Sequence, residues 1–137
     1  MAPAILDTDI LSEVLKQRHP NVRKNSRQYL RSHGQFAISA VTRFEIIRWY
    51  KELGAVRPLE RFLTFCGQSL VLPVTDDLFD RAADLWVLAR RGGHPCNDAD
   101  LLIAATALEA NRRLISGNTA HFAWIPGLVL EDWRQPQ

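Results

Sequence analysis

Long apolar runs are missing from this 137-residue sequence; none approaches the roughly 18 residues that a membrane span needs. The stretch Met1-Ala2-Pro3-Ala4-Ile5-Leu6 meets an acid at Asp7 before a signal-peptide core can form. A cytoplasmic protein without a membrane anchor is therefore expected. Cysteine is scarce as well: Cys66 and Cys96 stand alone, with no CxxC spacing and no histidine placed to complete a zinc set. That argues against a disulfide framework and a structural zinc site, and leaves two reduced, partly buried thiols as the expectation. Internal repeats, linkers and low-complexity tracts are also lacking. The length suits one hydrophobic core and is too short for two, so a single domain over 1–137 is expected.

What is present is an ordinary globular composition, 47% hydrophobic and 23% charged. The net charge is only +2, but it is unevenly spread. Residues 1–61 carry eleven Lys/Arg against six acids, and residues 62–111 carry three against seven. An electropositive region beside an acidic one suits a polyanion held next to a metal site, although solvated helix faces often carry charge of either sign.

Short strands and helices alternate along the chain. Ala4-Ile5-Leu6 reads as a buried strand ending at Asp7-Thr8-Asp9, and Ile10, Leu11, Val14 and Leu15 follow at helical spacing. A polar helix over 20–33 stops at Gly34, and Phe36–Ser39 forms a second strand running into a helix through Glu45 and Trp49. A helix near 56–66, a strand at Leu70–Pro73 and an amphipathic helix over 76–91 come next, the last with Leu78, Ala82, Leu85, Trp86 and Ala89 on one stripe. A helix over 98–111, a strand at Arg113–Ser116 and a last strand at Leu128–Leu130 complete the pattern. Such alternation predicts a three-layer α/β/α sandwich on a mainly parallel sheet of about five strands, with ligands bound beyond the carboxyl ends of the strands.

Four polar segments follow strands or open helices: Asp7-Thr8-Asp9, Thr42-Arg43-Phe44-Glu45, Asn97-Asp98-Ala99-Asp100 and Gly117-Asn118-Thr119. Each has a purely structural explanation. Thr42-x-x-Glu45 fits a capping box, Asn97 can cap a helix with Asp100 in its first turn, and acids at helix N-termini gain about 0.3–1 kcal/mol each. Taken together, strands feeding these segments would bring distant acids to one sheet edge. Their repulsion is relieved by a divalent cation, and hard oxygen ligands suit Mg²⁺ or Mn²⁺ rather than zinc.

The order and spacing of these segments resemble PIN-domain ribonucleases of the VapC toxin type. The matching stretches are Leu6–Leu11, Ile38–Glu45, Asp100–Ala107 and Leu114–Phe122, with Ile125-Pro126-Gly127-Leu128 following. The resemblance implies a PIN-like fold and metal ligation by Asp7, Glu45 and Asp100, with Asn118 in an outer role or orienting water. It leaves Asp98 as a cap or outer contact, because two residues' spacing from Asp100 points it to another helix face. Asp9, with Thr8 between it and Asp7, takes a turn-fixing role. His121 stands where many relatives have an acid, so either the fourth carboxylate is lacking or His121 is simply an exposed helix residue.

The implied chemistry is endoribonuclease cleavage by a water activated by Mg²⁺ or Mn²⁺, releasing a 5′-phosphate and a 3′-hydroxyl, with no protein nucleophile. Arg18, Arg23, Lys24 or Arg43 would hold flanking RNA phosphates. The implied partners are a VapB-like antitoxin and a second copy of the chain. Two alternatives stand beside this reading. One is an inactive PIN-like module that binds RNA or protein. The other is a phosphatase of the haloacid dehalogenase type, suggested by Asp7-x-Asp9 but opposed by Leu11 where Thr or Val is expected.

Overall fold

Alternation at the strand level decides the layering. In β1 (Ala4–Leu6) all three residues are buried, yet Ala4 and Leu6 pack into one apolar cluster and Ile5 into another. Successive side chains leave a strand on opposite faces, so β1 lies between two cores. The computed structural model describes residues 2–136; Met1 and Gln137, the ends of the expected span 1–137, lie outside the described residues.

β1 pairs in parallel with β2 (Ala37–Ser39) and with β4 (Arg113–Ile115). β3 (Leu70–Leu72) and β5 (Leu130–Glu131) close the two edges, also in parallel, giving the order β3-β2-β1-β4-β5. The expected sandwich, the parallel sheet and the strand number are all found. One face is covered by α1 (Thr8–Lys16), α2 (Pro20–His33) and α4 (Val56–Gly67), which contribute Leu11, Val22, Tyr29 and Phe62. The other is covered by α5 (Asp76–Gly92) and α6 (Asp98–Glu109), with Leu78, Leu85, Leu101 and Ile103 buried. α3 (Ala40–Leu53) starts directly from the end of β2, without a loop. The short helix α7 (Thr119–Phe122) follows β4.

Three details differ from the sequence expectation. The last strand begins at Leu130, not Leu128, because Gly127 adopts φ +78° and the Leu128 N–H donates to the Ile125 carbonyl, which turns the chain before it can pair. α6 stops at Glu109 because Asn111 takes a left-handed φ of +52° and turns the chain into β4. Trp86 does not join the buried stripe of α5. Leu78, Ala82, Leu85 and Ala89 are buried as expected, but Trp86 is 45% exposed, with the Arg90 guanidinium 4.9 Å from its ring centroid. Cys66 and Cys96 are free thiols, buried and half-buried respectively.

Candidate active site

The sheet order reverses direction at β1. From β1 the chain winds outward to β2 and β3, and on its return it places β4 on the other flank. A parallel sheet opens a crevice at such a switch point, beyond the carboxyl ends of the two strands. Asp7 follows β1 there, and Ser116-Gly117-Asn118 follows β4. A cleft of about 560 Å³ occupies this place, lined by Asp7, Thr8, Asp9, Glu45, Asp100 and Asn118, with Leu15, Arg48, Trp49 and Tyr50 along its other side.

Asp7 is the deepest of the acids, with 5% of its surface exposed. Its Oδ1 accepts the Thr8 N–H at 2.9 Å and its Oδ2 accepts the Ser116 hydroxyl at 2.7 Å. Burial, reinforced by the nearby charges of Asp9 and Asp100, outweighs these bonds and pushes the carboxyl up from 3.8 to about 7. Ser116 is fully buried, and its Oγ also accepts the Asn118 N–H at 2.9 Å. One serine thus orients the buried acid and the turn that carries Asn118 into the cleft.

Glu45 reaches the cleft because the expected capping box does not form. α3 begins at Ala40 and is capped by Ser39, whose Oγ accepts the Val41 N–H at 3.0 Å. Thr42 therefore lies inside the helix, fully buried, and Glu45 stands a turn further on with no capping role. The Thr8 hydroxyl lies 2.9 Å from Glu45 Oε1 and 3.1 Å from Thr42 Oγ1. With one proton to give, Thr8 donates to the carboxylate and accepts from Thr42. Arg48, 4.0 Å from Glu45, places a cation at the rim.

Asp100 lies in the first turn of α6, where Asn97 caps as expected: its Oδ1 accepts the Asp100 N–H at 2.8 Å. Capping and cleft are not alternatives here, since the N–H is capped while the carboxylate lines the cavity. Burial raises the Asp100 carboxyl; His121 works against this, while Glu45 and Asp9 add to it. His121 is exposed, yet its Nδ1 is 3.7 Å from Asp100 Oδ2 and 3.3 Å from Asn118 Nδ2. It is therefore both a surface residue and a neighbour of the acids. Asp9 sits at the rim, accepting the Ile10 N–H at 2.7 Å and the Gly117 N–H at 3.0 Å.

Other expected residues lie elsewhere. Asp98 is exposed at the start of α6 and does not line the cleft. Arg18, Arg23 and Lys24 are exposed at and beyond the end of α1, and Arg43 faces Cys66, whose thiol burial raises and Arg43 lowers. None of the four lines the cleft, where Arg48 does. Ser116, Thr42, Arg48 and Trp49 were not among the expected site residues. Ser116 carried a signal, a hydroxyl at the strand end before Gly-Asn, whereas Arg48 and Trp49 looked like any exposed helix positions.

The donors are all oxygen, the set hard cations prefer. They surround the cleft without meeting at a point: among the described residues, no three His, Cys, Asp or Glu side chains are gathered closely enough to hold a metal ion. The Ser116 and Thr8 hydroxyls each engage one of the acids, Asp7 and Glu45 respectively.

Fold and sequence together make the chain a PIN domain; the family model matches residues 4–126, and the chain belongs to the PIN-domain family, whose members are generally nucleases. It is 28% identical to the tRNA(fMet)-specific endonuclease VapC of Shigella flexneri, over 97% of this chain and 99% of that protein. Among solved structures it resembles the DNA-bound VapBC complex of Salmonella typhimurium, with TM-score 0.84, 25% identity and coverage of 97% and 99% of the two chains. It also resembles VapBC-1 from nontypeable Haemophilus influenzae, with TM-score 0.78, 26% identity and coverage of 96% and 98%. The phosphatase alternative falls with this finding. Asp9, which would be its second acid, spends its carboxylate on two backbone N–H groups.

No helix among the described residues is long and apolar enough to cross a membrane.

Proposed function

We propose that the chain is a single PIN-like nuclease domain acting as a metal-dependent endoribonuclease toxin, with Asp7, Glu45 and Asp100 as the acids that hold Mg²⁺ or Mn²⁺. The observation that carries the reading is that these three acids, from the end of β1 and from α3 and α6, line one cleft at the switch point of the sheet. Keeping Asp7 buried beside two other carboxylates raises the energy of its charged form. A site that concentrates negative charge at this cost fits a divalent cation better than it fits a merely structural role.

Asp7, Glu45 and Asp100 would hold such a cation, which would supply charge neutralisation and Lewis-acid activation of water for phosphodiester hydrolysis. The chain's own residues supply the frame. Ser116 fixes the rotamer of Asp7, Thr8 fixes Glu45, and Asn118 presents its amide beside His121 and Asp100 for orienting water or substrate. Arg48 at the rim is placed to meet a phosphate, with Arg18, Arg23, Lys24 and Arg43 left for more distant contacts.

RNA is the substrate class in this reading, supported by the likeness to an endonuclease described as specific for tRNA(fMet). The partner is an antitoxin of the VapB kind, supported by the complexes that the chain resembles and by apolar surface left open beside the acids. A second hollow, of about 350 Å³, shares Ser12, Leu15, Trp49 and Tyr50 with the cleft and extends to Pro58 and Phe62. Phe79, Trp86 and Val87 on α5 offer a separate exposed face for a second copy of the chain.

The test is cleavage of RNA, initiator tRNA included, by purified wild type and Asp7→Asn with Mg²⁺, Mn²⁺ or a chelator. Wild type is expected to cleave only with metal, and the variant to lose at least about 100-fold, the scale on which removal of one preorganised charge-stabilising group acts. Full cleavage by a folded Asp7→Asn would sink the assignment. A wild type inactive on every RNA would favour the binding-module alternative.

A further inference from the structure

The sequence ends in a segment that no motif accounted for, and its contacts lead back to the site. Trp133 is buried against Tyr29 and Phe36. Two asparagines of α2 hold the backbone around it: Asn25 Nδ2 donates to the Trp133 carbonyl at 3.0 Å, and Asn21 Nδ2 donates to the Arg134 carbonyl at 2.8 Å. Arg134 is thus delivered to a fixed place although its side chain is exposed. Asp132 then orients the guanidinium, accepting from Nε at 3.2 Å and from Nη2 at 3.1 Å. Partial burial would raise the Asp132 carboxyl, but the Arg134 contacts hold it below the usual range.

From there Nη2 donates to the Gly117 carbonyl at 2.7 Å. The N–H of the same glycine donates to Asp9, and the next N–H, that of Asn118, donates to Ser116 Oγ. Gly117 itself leaves room for nothing else. A Cβ there would lie 2.5 Å from Arg134 Cζ, 2.6 Å from Nη2 and 2.8 Å from Asp9 Oδ2. The turn after β4 is therefore gripped on one side by Ser116 and Asp7, and on the other by Asp9 and Arg134.

We propose that Arg134 is a positioning residue for the cleavage site, which clamps the Gly117 carbonyl and so holds Asn118 at the cleft. The proposal rests on the nuclease reading for its effect on turnover, while the clamp itself is a property of the fold. A guanidinium is suited to the task because its fork bonds Asp132 and the carbonyl together, which an ammonium cannot reproduce.

The experiment compares wild type with Arg134→Gln, Arg134→Lys and Gly117→Ala, reading amide hydrogen exchange and RNA cleavage side by side. In all three variants the Gly117 and Asn118 amides are expected to exchange about 10-fold faster or more, while Ile5 and Leu114 in the sheet stay protected. Cleavage should lose kcat at nearly unchanged KM, on the scale of about 10-fold seen when an outer residue that orients a site is removed, and Arg134→Lys should not restore it. Unchanged exchange in Arg134→Gln would overturn the clamp. So would full rescue by Arg134→Lys, or a raised KM with a shallower salt dependence, since those mark a cation that merely holds a phosphate. A wild type without cleavage but with the exchange response intact would count against the nuclease reading and leave the clamp standing.

Discussion

The two walls of the cleft are built on different principles. The wall made by the ends of β1 and β4 is a continuous hydrogen-bonded set in which Ser116 links Asp7 to Asn118 and Gly117 links Asp9 to Arg134. The wall made by α3 has few such ties: Thr8 reaches Glu45, and beyond it Trp49 stands 48% exposed beside Tyr50. Side chains that must hold a charge in one place need partners that fix their rotamers, and those partners come from strand ends that cannot move relative to one another. An open apolar helix face suits surface that a partner covers and then releases. The same cleft thus has one side held by a network of hydrogen bonds and another, which carries Glu45, held by few.

The largest expected effect lies on the rigid wall and concerns stability. The Asp7 carboxyl rises from 3.8 to about 7 on folding, so the folded state favours the protonated form. The unfolded chain ionises first; Asp7 therefore contributes most to stability below about pH 4 and loses that contribution as pH climbs through about 7. In metal-free protein, Asp7→Asn should gain on wild type by a few kcal/mol between pH 4.5 and 8, measured by denaturant unfolding at each pH. A difference that does not change with pH would mean that Asp7 is not buried as a charge.

Next in size is the link from Ser116 to Asp7. Ser116→Ala removes a buried hydroxyl without adding volume and leaves Asp7 free to change rotamer, so RNA cleavage should fall about 10- to 100-fold with the fold retained. Cleavage at the wild-type rate would show that the serine serves only the turn. The smallest effect is expected on the apolar wall. Trp49→Ser should cost cleavage by the free protein less than Ser116→Ala does, and should weaken binding of the proposed VapB-like antitoxin by about 10-fold, by titration calorimetry. Equal affinity would put the partner on another face and remove the contrast between the walls.

The acids differ in how far they could be read in the sequence. Local pattern placed Asp7 at the end of an apolar triplet and Asp100 a helical turn past a capping Asn, but only the joint pattern and the family resemblance made either a site candidate. Glu45 was visible as a candidate but open to a capping explanation. What freed it was a strand that ends at Ser39 and a helix that starts at the next residue, a boundary fixed by parallel pairing of β2 with β1 and β3. Trp86 was misjudged because a stripe on a helical wheel does not say how wide the covering surface is; α6 covers Leu85 and leaves its neighbour to solvent.

By itself, then, the sequence determined the order of elements and the parallel layering, since period and strand composition act over a few residues each, and its resemblance to a family singled out three acids that line one cleft. Only the tertiary structure decided which hydroxyl holds which carboxylate, that Arg43 turns toward Cys66 while Arg48 lines the cleft, and that Arg134 reaches Gly117. Those pairings join residues as much as 109 positions apart. Their partners are chosen by the register of β1 against β4 and by the burial of Trp133, and neither leaves a local pattern in the chain.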